Sequence, residues 1–148
     1  MTTVTERSDW MSVLAQSEFA DLERLWLQQQ IEAEYQIIRQ PEIGLAQVRA
    51  RMGGTGRSFN IGDTTLTRAV VKLNSGELGY SYLQGRNKTH AEIAALIDGL
   101  LQTQRYHESL RSSVIEPLTA DKQEREQQRA KEVASSKVDF FTMVRGED

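Results

Sequence analysis

Gly62-Asp63-Thr64-Thr65-Leu66-Thr67-Arg68-Ala69-Val70-Val71-Lys72-Leu73 reads as a tight turn followed by a half-buried strand. Thr65, Thr67, Ala69, Val71 and Leu73 share one face and Leu66, Arg68, Val70 and Lys72 the other, the period of two that a pleated backbone imposes. Asn74-Ser75-Gly76-Glu77 is a turn signal, and beyond it Leu78 to Gln84 forms a last strand with Tyr80 and Tyr82 on one side. Upstream, Phe59 and Ile61 alternate with polar residues, and Ala46, Val48, Ala50 and Met52 alternate with Gln47, Arg49 and Arg51. A first strand over Glu34 to Arg39 precedes a turn at Gln40-Pro41-Glu42-Ile43-Gly44. Parallel strands need long crossovers that these short turns cannot supply, so the sheet is an antiparallel meander of about four strands.

Thr89-His90-Ala91-Glu92 is a capping box, predicting a helix from His90 with the apolar stripe Ile93, Leu96, Ile97, Leu100 and Leu101 packed on the sheet. Pro117 closes the weaker periodicity through Tyr106, Leu110, Val114 and Ile115. At the other end, Ser8-Asp9 caps a short helix carrying Trp10, Met11, Val13 and Leu14. Ser17 with Glu18 starts a second, carrying Phe19, Leu22, Leu25, Trp26 and Leu27. Two consecutive helices suggest a helix-turn-helix, but residues 18–30 hold only Arg24 against Glu18, Asp21 and Glu23, the wrong charge for a phosphate backbone. The fold class is therefore α+β, with these helices covering the sheet.

From Thr119 to Lys137 the composition turns polar: good helix formers with almost no apolar face, the pattern of a helix that projects into solvent or lies along another protein. The apolar, β-prone ending Val138-Asp139-Phe140-Phe141-Thr142-Met143-Val144-Arg145-Gly146 follows it. We expect a core domain over 1–118, with a short disordered N-terminus, and an arm over 119–148. The tail residues Val138, Phe140, Phe141, Met143, Val144 and Arg145 are expected to dock on a partner.

Lysine and arginine total 18 against 21 acidic residues in 148, so any anion site must be local. The chain has no cysteine, which excludes disulfides, thiolate nucleophiles and cysteine-held zinc or iron-sulfur clusters on it. Met1 to Ser8 lacks an apolar signal core and no run approaches the roughly 18 apolar residues of a membrane span, so a cytoplasmic location is expected.

Two basic loops are candidate anion sites. In the first, Gly53, Gly54, Thr55 and Gly56 lie between Arg51 and Arg57; glycine permits the positive φ angles that turn successive amides toward one anion. The same glycines could simply close a hairpin, with both arginines in water. In the second, Arg86 and Lys88 precede the capped helix, whose N-terminal dipole favours an anion; a solvated loop is the alternative. A Walker P-loop is excluded, because no glycine adjoins Lys88-Thr89 and no parallel βαβ unit is present. His90 is the one candidate for acid-base work, with capping or core-edge packing as its structural alternative. His90-x-Glu92 resembles part of a zinc deaminase signature that also needs cysteines. His107 beside Glu108 reads as surface, two histidines make no metal centre, and no Gly-x-Ser-x-Gly nucleophile motif is present.

Arg51-Met52-Gly53-Gly54-Thr55-Gly56, Gly62-Asp63 with Thr65-Leu66-Thr67-Arg68-Ala69, Leu78-Gly79-Tyr80-Ser81 with Gln84-Gly85-Arg86, Lys88 with His90-Ala91-Glu92, Ala95-Leu96-Ile97-Asp98 and the ending Val138 to Gly146 together resemble the PhnG family of the bacterial carbon-phosphorus lyase machinery. The resemblance runs from about Trp10 to Gly146.

It implies a non-autonomous subunit of a core complex containing paired PhnG, PhnH, PhnI and PhnJ, with the ATPase-like PhnK and PhnL attached. Within it PhnI, the direct and tightest partner, would act with PhnG, PhnH and PhnL to couple an alkylphosphonate to ATP at ribose C1, releasing adenine. The complex would thus be a transferase, a ribose 1-methylphosphonate 5-triphosphate synthase, in which this chain is inactive alone. ATP is a co-substrate, the iron-sulfur cluster and S-adenosylmethionine belong to PhnJ, and no cofactor is implied on this chain. A structural role supporting PhnI is the first expectation. Direct contribution of Arg51, Arg57, Arg86, Lys88 and His90 to phosphate binding at a shared site is the second, and a freestanding nucleotide-binding domain a third.

Overall fold

The computed structural model describes the backbone of residues 6–51 and 58–146 and the side chains of 6–45 and 64–135. Helices α1 (Arg7–Gln16) and α2 (Phe19–Gln29) break where the sequence predicts, and Ser17 donates its hydroxyl to the Leu14 carbonyl at 2.7 Å. The residue preceding α1 is Glu6 rather than a Ser8-Asp9 cap, and it makes no side-chain capping bond. Trp10, Val13 and Leu14 of α1 and Leu22 and Leu25 of α2 are buried.

Three strands follow in the order β1-β2-β3, all antiparallel: β1 (Tyr35–Arg51), β2 (Ser58–Leu73) and β3 (Leu78–Gln84). The expected meander is present with three strands rather than four, because two predicted turns are not turns. Around Pro41 the backbone stays extended, and the register shifts between Arg39 and Glu42. β1 is an edge strand, where proline's missing N–H costs no ladder bond and a bulge absorbs the irregularity. Gly62 and Asp63 likewise lie inside β2, opposite Val48 and Gln47. A continuous partner strand here overrides the local turn preference. The outcome is a long β1–β2 hairpin, of which only the base is flanked by β3, whose register spans Leu66↔Gln84 to Lys72↔Leu78.

Helix α3 (Lys88–Leu101) forms the middle of the molecule, and every residue from Ala94 to Leu101 is buried. Its N-cap is Asn87, two residues before the Thr89 of the capping box read from sequence: the Asn87 side chain accepts from the His90 N–H at 3.0 Å. Glu92 does not reach back to the helix start; it accepts from the Tyr35 hydroxyl at 3.1 Å. The helix does pack on the sheet, but through its small residues. Ala91 and Ala95 join Ala69, Val71 and Leu83 in one cluster, whereas Leu96, Ile97, Leu100 and Leu101 face the helical layer with Trp10, Leu14, Leu22, Leu110 and Ile115. Close approach explains the choice: a Cβ on Gly79 would overlap the Ala95 carbonyl oxygen and lie 2.9 Å from the Gly99 nitrogen.

Helix α4 (Gln104–Leu110) runs through a π-helical turn, Arg111–Ile115, into α5 (Glu116–Gly146). Pro117 does not end the helical path. It sits in the first turn of α5, where a missing N–H is tolerated, and the wide turn before it carries the Glu116 N–H to the Arg111 carbonyl. The 31 residues of α5 extend about 46 Å. Its first turns are attached to the body, where the composition suggests a helix that projects into solvent or lies along another protein. Leu118 is buried, and Arg125 donates to Glu18 Oε1 at 3.2 Å and to the Gln16 carbonyl at 2.9 Å. Residues 126–135 are exposed. The backbone stays helical through Gly146, where an extended tail was expected.

Candidate functional site

The densest polar cluster among the described residues surrounds Asp98 on α3. Its carboxylate is wholly buried and accepts from Trp10 Nε1 at 2.8 Å, from Arg7 Nε and Nη2 at 3.2 and 2.8 Å, and from the Tyr80 backbone N–H at 2.9 Å. The hydrogen bond with Asp98 raises the Arg7 pKa above its ordinary value, and partial burial opposes it. Arg7 also donates to the Leu78 carbonyl at 3.2 Å and lies 5.4 Å from the Tyr80 ring centroid. Three elements are thus pinned together, with no acceptor capacity left facing solvent. The arrangement is that of a structural ion pair whose partners satisfy one another.

Both histidines are committed to backbone carbonyls. His90 is buried; its Nε2 donates to the Leu14 carbonyl at 2.9 Å and lies 3.3 Å from Ser17 Oγ, while Phe19 stacks obliquely at 5.8 Å. This matches core-edge packing that ties α3 to the α1–α2 break. Donation from Nε2 leaves only Nδ1 as a potential base. His107, read as surface, is half-buried: its Nδ1 donates to the Leu101 carbonyl at 2.8 Å, and its ring meets Trp10 edge-on at 5.6 Å.

Of the second basic loop, Arg86 and Lys88 are both exposed, flanking the half-buried Asn87. The loop is held from below. Gly85, at φ +101°, donates its N–H to the Thr65 carbonyl at 2.9 Å and accepts from Thr67 Oγ1 at 2.6 Å. Asn87 already occupies two donors of the first turn of α3, the N–H groups of His90 and Ala91. Of the first loop, Gly53, Gly54, Thr55, Gly56 and Arg57 lie outside the described residues, as does the side chain of Arg51, whose backbone faces Ser58. From Leu66, opposite Gln84, to Ser58 is eight strand positions, about 26 Å of extended chain. The described strands therefore carry the two loops to different heights of the hairpin.

The sheet is covered by α3 on one face only. Cross-strand partners share a face, which places Leu66, Val70, Leu78, Tyr80 and Tyr82 on the open side, among Arg39, Glu42, Arg68 and Lys72. Glu42 pairs with Arg68 at 3.1 Å and with Arg39 at 3.5 Å. Ile43 and Leu45 on the hairpin are exposed, Leu45 at 73%. Side chains of the tail residues Val138, Phe140, Phe141, Met143, Val144 and Arg145 lie outside the described ones.

Sequence reasoning missed the Arg7–Trp10–Asp98 cluster. The available signal was a lone aspartate inside the apolar run Ile93–Leu101, a position where a charge must be paired. Among the described residues no group of three or more His, Asp or Glu side chains could hold a metal, and no helix is long and apolar enough to cross a membrane.

Residues 5–146 match the family model described as phosphonate metabolism protein PhnG. The chain is also 38% identical over 145 residues, 98% of its own length and 92% of the relative's, to the alpha-D-ribose 1-methylphosphonate 5-triphosphate synthase subunit PhnG of Rhizobium meliloti (strain 1021).

Proposed function

Because the chain belongs to the PhnG family of phosphonate metabolism proteins, we propose that it is a non-catalytic subunit of a ribose 1-methylphosphonate 5-triphosphate synthase. In this reading it supports a neighbouring subunit of the PhnI type, together with PhnH and PhnL, in coupling an alkylphosphonate to ATP at ribose C1. A phosphonate oxygen forms the new bond to C1 and adenine leaves with the electrons of the broken C–N bond. PhnJ, carrying its iron-sulfur cluster and S-adenosylmethionine, would act on the product, and PhnK would join the assembly as a second ATPase-like component.

One observation carries the reading: the described groups best suited to chemistry are spent on holding the fold together. Asp98, His90 and His107 each bond to this chain's own partners, whereas the large uncovered features among the described residues are surfaces: the open sheet face, the part of the hairpin at Ile43 and Leu45, and the exposed part of α5. Such a molecule offers other proteins area and open clefts rather than an enclosed pocket. Reconstituting the synthase with and without the chain tests it. Adenine release from ATP plus methylphosphonate should require the chain, and the chain alone should release none; release by the remaining subunits at the full rate would refute the proposal.

A second reading rests on the exposure of Arg86 and Lys88 beside the start of α3. Facing a partner's active site, they would hold triphosphate or phosphonate oxygens with the aid of the helix dipole. The glycine-rich loop with Arg51 and Arg57, eight strand positions further along the hairpin, would meet a different part of the partner.

A further inference from the structure

The free edge of the sheet at β3 is divided into two unequal halves. Tyr80 donates its backbone N–H to Asp98, so in the antiparallel alternation Leu78, Tyr80, Tyr82 and Gln84 all turn their backbone groups away from β2. At the first half two of these groups are taken by side chains: the Leu78 carbonyl accepts from Arg7 at 3.2 Å and from Gln102 Nε2 at 2.7 Å, and the Tyr80 N–H donates to Asp98. At the second half, neither the N–H nor the carbonyl of Tyr82 has a partner among the described residues. A cleft of about 670 Å³ opens there, between Tyr82 and Gln84 on the strand and Lys122, Arg125 and Arg129 on α5.

We infer that this cleft receives an extended, acidic segment of another subunit of the synthase, which adds to β3 as a fourth strand beside Tyr82. The inference rests on the subunit reading above and names the surface that reading lacks. Two independent features select the occupant. The outward donor and acceptor of Tyr82 are spaced to pair with a backbone, which carries both, rather than with a purely accepting anion. Lys122, Arg125 and Arg129 fall at i, i+3 and i+7, one face of α5, and they set the sign of the facing side chains. Glu18 and Glu126 compensate Arg125 and Lys122 at 3.2 and 4.0 Å, and Arg129 has no ion-pair partner among the described residues. A basic segment would meet that wall with like charge; an acidic one gains Arg129 and competes for the other two. Tyr82, 55% exposed, supplies an aromatic surface at the cleft mouth.

The test uses the assembled synthase, with photoreactive p-benzoylphenylalanine encoded at position 84 in the full chain. Irradiation should join position 84 to an Asp- and Glu-rich stretch of a different subunit, identified by mass spectrometry. Arg129→Glu should cut that crosslink by about tenfold, most strongly at low salt. Tyr82→Pro, which removes only an outward N–H at an edge position, should do the same while the circular dichroism of the chain is retained. Crosslinks confined to this chain, to a second copy of it or to nucleic acid overturn the inference, as does a crosslink that neither substitution weakens. An active synthase with no crosslink at position 84 overturns the inference alone. A synthase that assembles and turns over without the chain overturns the subunit reading and the inference with it.

Discussion

The indole N–H of Trp10 and the carboxylate of Asp98 meet at 2.8 Å across 88 residues of chain. The bond joins the first helix to the middle one, and Arg7 and the Tyr80 N–H complete the same carboxylate. Removing the acceptor strands four N–H donors on three residues at once. Asp98→Ala is expected to lower stability by about 2–4 kcal/mol, the cost of leaving the Trp10 and Tyr80 N–H groups without an acceptor, while Arg7, 41% exposed, can turn to water. Asp98→Asn, which keeps one oxygen, should fall between that variant and the natural chain. Urea unfolding followed by tryptophan fluorescence reads both.

Gly79 and Ala95 permit the closest helix-to-sheet contact described. Gly79→Ala must displace α3, because the new methyl would overlap the Ala95 carbonyl. A loss of about 1–3 kcal/mol is expected, as for other overpacked positions. Gly44→Ala, where nothing lies within 4 Å, serves as the control and should change stability by less than about 0.5 kcal/mol. Thermal melts of the two variants separate them.

His90 is expected to matter for folding and not for turnover. His90→Ala loses the bond to the Leu14 carbonyl and leaves a gap beside Phe19, at a cost of about 1–3 kcal/mol. In the reconstituted synthase, assayed well below the melting temperature of the variant, adenine release per assembled complex should match that of the natural chain. A loss of rate with assembly intact would return His90 to the chemistry.

Arg86→Ala with Lys88→Ala removes two exposed charges and should leave stability within about 0.5 kcal/mol of the natural chain. If the chain is a purely structural subunit, the KM for ATP and for methylphosphonate is unchanged. A rise in either KM at constant assembly would favour the phosphate-binding reading.

Tyr35 gives the fold an alkaline limit. Burial, followed by the nearby charge and hydrogen bond of Glu92, raises its pKa above 10.0. Above pH 10 the unfolded chain releases this proton while the folded chain keeps it, so the unfolded state binds fewer protons and stability falls with rising pH. The contribution is complete below pH 10 and disappears as pH climbs through the folded-state value. Melting temperatures between pH 8 and 11 should show the decline in the natural chain and a shallower one in Tyr35→Phe.

Where one local force dominates, the sequence is a good guide. The alternation from Thr65 to Leu73 is set by burial on one face and the break at Ser17 by a polar interruption between two apolar runs, and both are present in the structure. The failures occur where a distant partner overrides a local preference. Gln40-Pro41-Glu42 and Gly62-Asp63 are turn formers held extended by each other's strand. Thr89 is a good cap displaced by Asn87, two residues earlier. The α3 faces were exchanged for a similar reason: alanine and glycine do not announce themselves as an interface, although the close approach of Gly79 to Ala95 and Gly99 depends on them. Of the candidate site, the described part was legible as residues but not as a constellation. Arg86 and Lys88 are exposed and His90 is buried, a distinction that spacing along a helix start does not reveal.

The pairing of Arg7 and Trp10 with Asp98 also has a consequence for how the chain is made. During synthesis the apolar side of α1 emerges before the helix it packs on, and the carboxylate that fixes it is added 88 residues after Trp10. At about 5–20 residues per second the ribosome needs several seconds to supply it. Throughout that interval Trp10, Val13 and Leu14 lack the helix they are buried against in the finished fold. The cluster that buries them also takes in Leu110, Val114, Ile115 and Leu118, so the first helix gains its full cover only after most of the core has been made.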